Sequence, residues 1–255
     1  MNENLRNLNK IEFAVTLACT GRCKHCQNGD PAQSSEHIDA EAAVKAIREV
    51  CQVYHIETVM TFGGEPLLYP DVVCAIHRTA TEMGVETRQV ITNGYFTKSP
   101  DRIAAVARAL ADSGVNDLLL SVDAFHQQTI PLEPVLHFVA CVQKAGIPLR
   151  LSPAWLVSRE DDNPYNERTR EILRSFDPLC VPTGEGNVIF PSGNALRYLR
   201  EYFPEDVGEF SPYWDDPRDV RCLSFSPNGD VLDGNLYRAD ILEIMDDYLG
   251  ESEWI

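Results

Sequence analysis

The chain has 255 residues, 44% of them hydrophobic and 24% charged, which is enough for one large α/β core and too apolar for a mainly disordered chain. Its net charge of −17 argues against nonspecific nucleic-acid binding, and no apolar run approaches the roughly 20 residues that cross a bilayer. The N-terminus, Met1-Asn2-Glu3-Asn4-Leu5-Arg6, has no apolar signal core, so a cytoplasmic protein with no membrane association is expected. The first predicted strand covers 11–18. A helix follows over 39–54, capped by Asp39, with Val44, Ile47, Val50, Cys51 and Tyr54 on one face. Strands over 58–62, 87–92, 117–123 and 149–156 then alternate with helices over 71–83, 100–113, 133–145 and 167–175. A sixth strand is expected near 179–182 or 187–190. Consecutive βα units predict a parallel sheet with helices outside, rolled by right-handed crossovers into a complete or partial TIM-type barrel.

The pattern breaks after about Tyr202. The division expected is a core over 1–202 and an extension over 203–255 that carries 14 acidic and three basic side chains. Within it, 203–218 has no period and reads as a loop, 221–232 as a hairpin turning at Pro227-Asn228-Gly229-Asp230, and 240–249 as a helix. Phe203, Phe210, Tyr213 and Trp214 in the loop suit a lid over the barrel mouth, and its carboxylates favour a cationic or hydrogen-bond-donating substrate. A loop packed against outer helices is the equal alternative.

The chain has eight cysteines. Cys51, Cys74 and Cys141 lie in predicted amphipathic helices and read as small buried hydrophobes, while Cys180 and Cys222 have no clear role. Three cluster directly after the first strand, in Cys19-Thr20-Gly21-Arg22-Cys23-Lys24-His25-Cys26. Gly21 permits the tight turn that lets three thiolates converge. Such a loop suits a four-iron cluster with one iron lacking a protein ligand, or a zinc ion on the three cysteines and His25. The second strand ends in Gly63-Gly64-Glu65-Pro66, and paired glycines there allow backbone to approach a ligand closely.

Together these motifs resemble the radical SAM superfamily: Cys19-x3-Cys23-x2-Cys26, then Gly63-Gly64-Glu65, Thr92-Asn93-Gly94 after the third strand and Ser121-Val122-Asp123 on the fourth. The resemblance covers about residues 10–190. It implies a partial (β/α)6 barrel with one [4Fe–4S] cluster on Cys19, Cys23 and Cys26. S-adenosylmethionine (SAM) would bind the open iron and be cleaved reductively, and the resulting radical would abstract hydrogen from a substrate. It also implies that Gly63, Gly64 and Glu65 line the methionine amino group and that the backbone of His25 meets the adenine. Asn93, Ser121, Asp123 and Arg150 are further cofactor-site candidates, and Asp123, His126 and Tyr95 are catalytic candidates. His126, in a polar run, is the best proton handler among them. Satisfied polar groups at a strand end are the alternative for Ser121, Asp123 and Arg150.

The segment from Cys222 to Leu236 is similar to the opening of a SPASM or twitch extension, but Asp233 stands where a further cysteine is expected. A cluster-free remnant is therefore expected. The resemblance points to a peptide or small-molecule substrate, and to an electron donor such as a flavodoxin or ferredoxin. Only about ten residues precede the first strand, so no leader-binding domain is expected. An activating enzyme that installs a glycyl radical on a partner protein is the runner-up. A zinc-binding or electron-carrying protein is the alternative from a different class.

Overall fold

Alternation in Lys10–Thr16 (β1) places Ile11, Phe13 and Val15 on one face, each fully buried, and half-buried Lys10, Glu12 and Ala14 on the other. The same alternation returns further along the sheet, with Leu118 and Leu120, then Leu149 and Leu151, buried. The structure, a computed structural model, describes residues 2–213 and 215–251. After β1 come Ala40–Val53 (α1), Thr58–Gly63 (β2), Pro70–Glu82 (α2), Thr87–Thr92 (β3), Pro100–Asp112 (α3), Asp117–Ser121 (β4), Leu132–Lys144 (α4) and Leu149–Ser152 (β5). Asp39 caps α1 by accepting from Ala42 N, and Ser99 caps α3 by accepting from Arg102 N.

The strand expected over 149–156 is two pieces, β5 and Ala154–Trp155 (β6), because Pro153 has no N–H to give the ladder. Pro164–Arg174 (α5) starts earlier than the pattern predicts, because Asn163 caps it and Pro164 suits its first turn. The chain then returns beside β5, where Leu151 N donates to Pro182 O and Gly184 N to Leu151 O. Asn187–Val188 (β7) pairs in parallel with β6. The sixth strand position is thus filled by short broken pieces, not one strand. Gly193–Tyr198 (α6) follows.

The extension contributes a strand to the main sheet. Cys222–Phe225 (β8) pairs in parallel with β1, giving the order β5-β4-β3-β2-β1-β8. The hairpin expected over 221–232 does not form as a ladder. A turn does close at Ser226–Asp230, but Asp230–Val231 (β9) pairs antiparallel with Gly234–Asn235 (β10). Burial explains the difference. Leu223 and Phe225 are sequestered against the β1 edge, and Phe225 stacks on Phe13 with centroids 4.7 Å apart. A long-range strand that buries two large side chains there outweighs a local hairpin. Ile241–Asp247 (α7) closes the described chain beside α1, with Asp240 paired to Lys45 at 2.8 Å. The result is a partial parallel (β/α)6-type barrel with additional C-terminal elements. No helix among the described residues is long and apolar enough to cross a membrane.

Candidate functional site at the C-terminal ends of the strands

The cysteine loop and the glycine pair form one ladder. Gly64 N donates to Thr16 O at 2.7 Å and Glu65 N to Ala18 O at 2.9 Å, so β2 continues its pairing onto the stem of the loop. Gly63 has φ +128°, and a Cβ there would lie 2.4 Å from Thr16 O; one on Gly64 would lie 2.2 Å from Ala18 O. The close approach that these glycines permit is therefore, first, that of the loop's own backbone.

Glu65 is fully buried beneath this ladder. Its Oε1 accepts from Leu67 N at 2.9 Å and from Thr92 Oγ1 at 2.7 Å, and its Oε2 from Asn93 N at 2.9 Å. Burial pushes its carboxyl up to about 7, against three donors that favour the ionised form. Asn93 then reaches the cysteine loop. Its Nδ2 donates to Cys19 Sγ at 3.5 Å and Thr20 Oγ1 at 3.2 Å, and its Oδ1 accepts from Tyr95 N. Thr20 Oγ1 donates to Tyr95 O at 2.6 Å. Tyr95 enters through its backbone, with its half-buried ring packed on the core.

The three thiols lie close enough to influence one another. Burial pushes Cys19 up to about 11 and raises Cys23 further, with Asp123, Cys19 and Cys26 adding to the effect at Cys23. Burial raises Cys26 as well. All eight cysteines are free thiols. Three mutually close, part-buried thiols form a soft donor set, since a bound cation offsets the cost of ionising them.

Asp123 is fully buried and wholly engaged within the protein. Oδ1 accepts from Phe125 N and His126 N, each at 2.9 Å; Oδ2 accepts from Ala154 N at 3.0 Å and contacts His126 Nδ1 at 2.8 Å. Burial alone would raise this carboxyl, but the neighbouring His126 outweighs it and holds it below the usual range. His126 meets His25 edge-on at 4.9 Å, and His25 also faces Phe125 at 5.0 Å. Burial lowers His25 to about 4, so it is neutral. Ser121 faces Ser152 in register on the inner sheet face. Arg150 lies away from the cysteine loop and pairs with Asp117 at 2.6 Å.

The sequence reading missed Ser192-Gly193-Asn194. Asn194 N donates to Cys26 O at 2.9 Å, and its Nδ2 to Cys23 O and Asp30 Oδ1, each at 3.2 Å. Gly193 has φ +50°, and a Cβ there would lie 2.3 Å from Gln27 O. This turn buttresses the far side of the cysteine loop. The signal available was a Ser-Gly-Asn turn cluster directly after the expected sixth strand, at the mouth end. The loop expected as a lid rests on the same turn: Glu209 Oε1 accepts from Ser192 Oγ at 3.0 Å and Gly193 N at 3.3 Å, and Phe210 N donates to Pro191 O. Tyr213 meets Phe190 edge-on at 5.8 Å, and Phe203 packs on an apolar cluster that includes Cys23 and Phe125. Trp214 lies outside the described residues.

A partial parallel α/β barrel with a thiol-rich loop after its first strand is the class that fold and site define. The sequence pattern of the Radical SAM superfamily matches residues 13–165, and the chain belongs to that superfamily. Among curated relatives, a GTP 3',8-cyclase of Moorella thermoacetica is 28% identical over 120 residues, covering 46% of this chain and 35% of the relative. The match thus spans about a third of that relative's length. Among solved structures, Streptococcus suis SuiB bound to S-adenosylmethionine superposes with a TM-score of 0.58 at 14% identity, covering 94% of this chain and 66% of that one. Native anSMEcpe with bound AdoMet and Cp18Cys peptide gives 0.56 at 12% identity, covering 91% and 75%. At these identities the likeness is one of fold.

Proposed function

We propose that this chain is a radical SAM enzyme whose Cys19, Cys23 and Cys26 hold a single [4Fe–4S] cluster. The observation that carries the reading is the linkage of Cys19 through Asn93 to the buried Glu65, which joins all three sequence motifs at one strand-end site. The donor set fits the cluster: three free, mutually close thiols and no fourth cysteine in the loop. With SAM on the open iron, the cluster would supply the electron that cleaves the sulfonium and releases a carbon radical for hydrogen abstraction from the substrate.

The protein's own contributions follow from the geometry. Gly21 N, at 3.4 Å, and Asn93 Nδ2 donate to Cys19 Sγ, fixing that sulfur and tempering its charge. The Gly64 carbonyl accepts no hydrogen bond among the described residues, which leaves it for the SAM amino group. Asp123 acts on the site through His126 and the backbone of β6 and does not itself touch ligand. The half-buried inner face of the sheet is the substrate surface. A peptide is the favoured substrate class, supported by the fold shared with the peptide-bound anSMEcpe. A small molecule is second, supported by the sequence match to a cyclase named for GTP. We place the protein in the cytoplasm with a flavodoxin- or ferredoxin-type electron donor, and read the extension as cluster-free.

The test is anaerobic reconstitution with iron and sulfide, then dithionite and SAM. The expected result is 5′-deoxyadenosine from the wild type and none from Cys19→Ala, Cys23→Ala or Cys26→Ala. Product persisting in all three variants would overturn the assignment.

A further inference from the structure

Cys23, His25 and His126 each bring one ligand atom, a sulfur and two ring nitrogens, within 4.8 Å of the other two. Only Cys23 of these belongs to the three-cysteine set. His126 comes from the segment after β4, about a hundred residues away in sequence. Two observations at this meeting point suit an ion. First, His25 Nδ1 is buried with no hydrogen-bond partner among the described residues. Second, His126 Nδ1 is held at 2.8 Å by Asp123, a carboxylate locked in turn by three backbone N–H groups. An imidazole whose N–H is held by a carboxylate presents its other nitrogen as a fixed lone pair, the outer-shell arrangement that orients metal-ligating histidines.

We propose that the cluster-free chain binds one divalent ion of the zinc class on Cys23, His25 and His126, with Asp123 orienting His126. One thiolate and two imidazoles suit zinc, and three protein ligands leave a fourth position for water. Zinc lies about 2.0–2.3 Å from such ligands, so the atoms must close to about 3.5 Å from one another, which takes at most about 1.3 Å off any separation. Cys19 is not one of the three residues whose ligand atoms lie within 4.8 Å of one another, so it falls outside this set. Because Cys23 is shared, zinc and the iron–sulfur cluster exclude each other on this chain. The ion site belongs to the cluster-free chain and does not rest on the cluster assignment.

The probe is Co2+, titrated into anaerobic chain stripped of iron by chelation and then displaced with Zn2+. The expected result is one ion per chain, with thiolate-to-cobalt charge transfer and the d–d bands of a four-coordinate site. Cys23→Ser and His126→Gln should each weaken binding at least about tenfold, and Asp123→Asn by about 10–100-fold, the usual effect of losing an outer-shell partner. Cys19→Ala should leave the affinity within about twofold. Circular dichroism confirms the fold of each variant, and His126→Gln carries the test if Asp123→Asn does not fold. No cobalt uptake by folded wild type would overturn the proposal. So would binding lost in Cys19→Ala but kept in His126→Gln, which would assign the ion to the three cysteines.

Discussion

The buried carboxylate of Glu65 accepts the backbone N–H of Asn93 at 2.9 Å, and the Asn93 side chain donates onward to the sulfur of Cys19. Two motifs 28 residues apart in sequence thus act as one support for the cysteine loop. The strand-end glycines let the loop stem lie against β2, and the glutamate ties β3 to that junction. The donors are backbone N–H groups and the buried side chains of Thr92 and Asn93, so these positions are set by the sheet and not by exposed side chains.

Glu65 should also leave a pH signature. Its carboxyl is raised to about 7, whereas an unfolded chain releases the proton near 4.5. Between these values the folded state holds a proton that the unfolded state has lost, so this group makes stability fall as pH rises through the window, by on the order of 3 kcal/mol at most. Buried His25 and His77, lowered by burial to about 4 and about 3, act in the opposite direction over part of the same range. The difference between wild type and Glu65→Gln therefore isolates the glutamate. Urea unfolding should show the variant less stable at pH 5 by about 1–3 kcal/mol, because its amide brings two N–H donors among existing donors where the protonated acid brings one O–H. That deficit should shrink or reverse by pH 8. An unchanged deficit at both pH values would refute the shift.

Asp123→Asn should be among the most damaging single substitutions. It leaves three backbone donors and His126 around an amide that can satisfy only part of them. Removing one member of a buried pair costs about 3–5 kcal/mol, which in a chain of this size lowers the melting temperature by on the order of 10 °C. Differential scanning calorimetry of the cluster-free protein checks it. A loss below about 1 kcal/mol would show that the carboxylate is not the hub its contacts indicate.

Much of the barrel was legible because its helices and strands obey one period each and alternate. The apolar run that begins at Ile11 announces the first strand, and Asp39 marks a helix start to within a residue. Three regions departed from the pattern for physical reasons. Pro153 splits a strand that its hydrophobicity made continuous. β8 leaves its expected hairpin for a parallel place beside β1, a long-range pairing that local turn signals cannot reveal. The sixth strand is too short and broken to show a period. At the site, the order of the motifs was readable, but their linkage was not. Nothing local tells that Asn93 reaches Cys19, that Asp123 spends its oxygens on backbone N–H groups, or that Arg150 pairs with Asp117.

Gly193→Ala tests the buttress behind the cysteine loop. The backbone has φ +50°, and the added methyl would lie 2.3 Å from Gln27 O and 2.6 Å from Cys26 O. Backbone oxygens cannot rotate aside, so the loop itself must shift. We expect a fold stability within about 1–3 kcal/mol of wild type, but reconstituted iron well below the wild-type level. Iron assay and circular dichroism on the same samples separate the two effects. Full iron content in the variant would remove the turn from the set of loop supports.

The acidic loop should report the state of the cysteine loop it adjoins. Glu209 accepts from Ser192 and Gly193, and the next residue, Asn194, donates to the carbonyl oxygens of Cys23 and Cys26. Any metal group that fixes the cysteine loop therefore also fixes the turn on which residues 203–213 rest. Exposed loops are cut by proteases in proportion to how often they open. Cleavage within 203–213 should accordingly be several-fold slower in iron-loaded protein than in the cluster-free chain. Glu209→Ala removes the acceptor that joins loop to turn, so the variant should be cut at one rate whether or not iron is bound, while the barrel stays intact. The readout is the rate at which the full-length band disappears under limited proteolysis, with cleavage sites assigned by mass spectrometry. Equal rates for loaded and unloaded wild type would mean that the loop is indifferent to the site. It would then be surface packing and not a cover that responds to the cofactor.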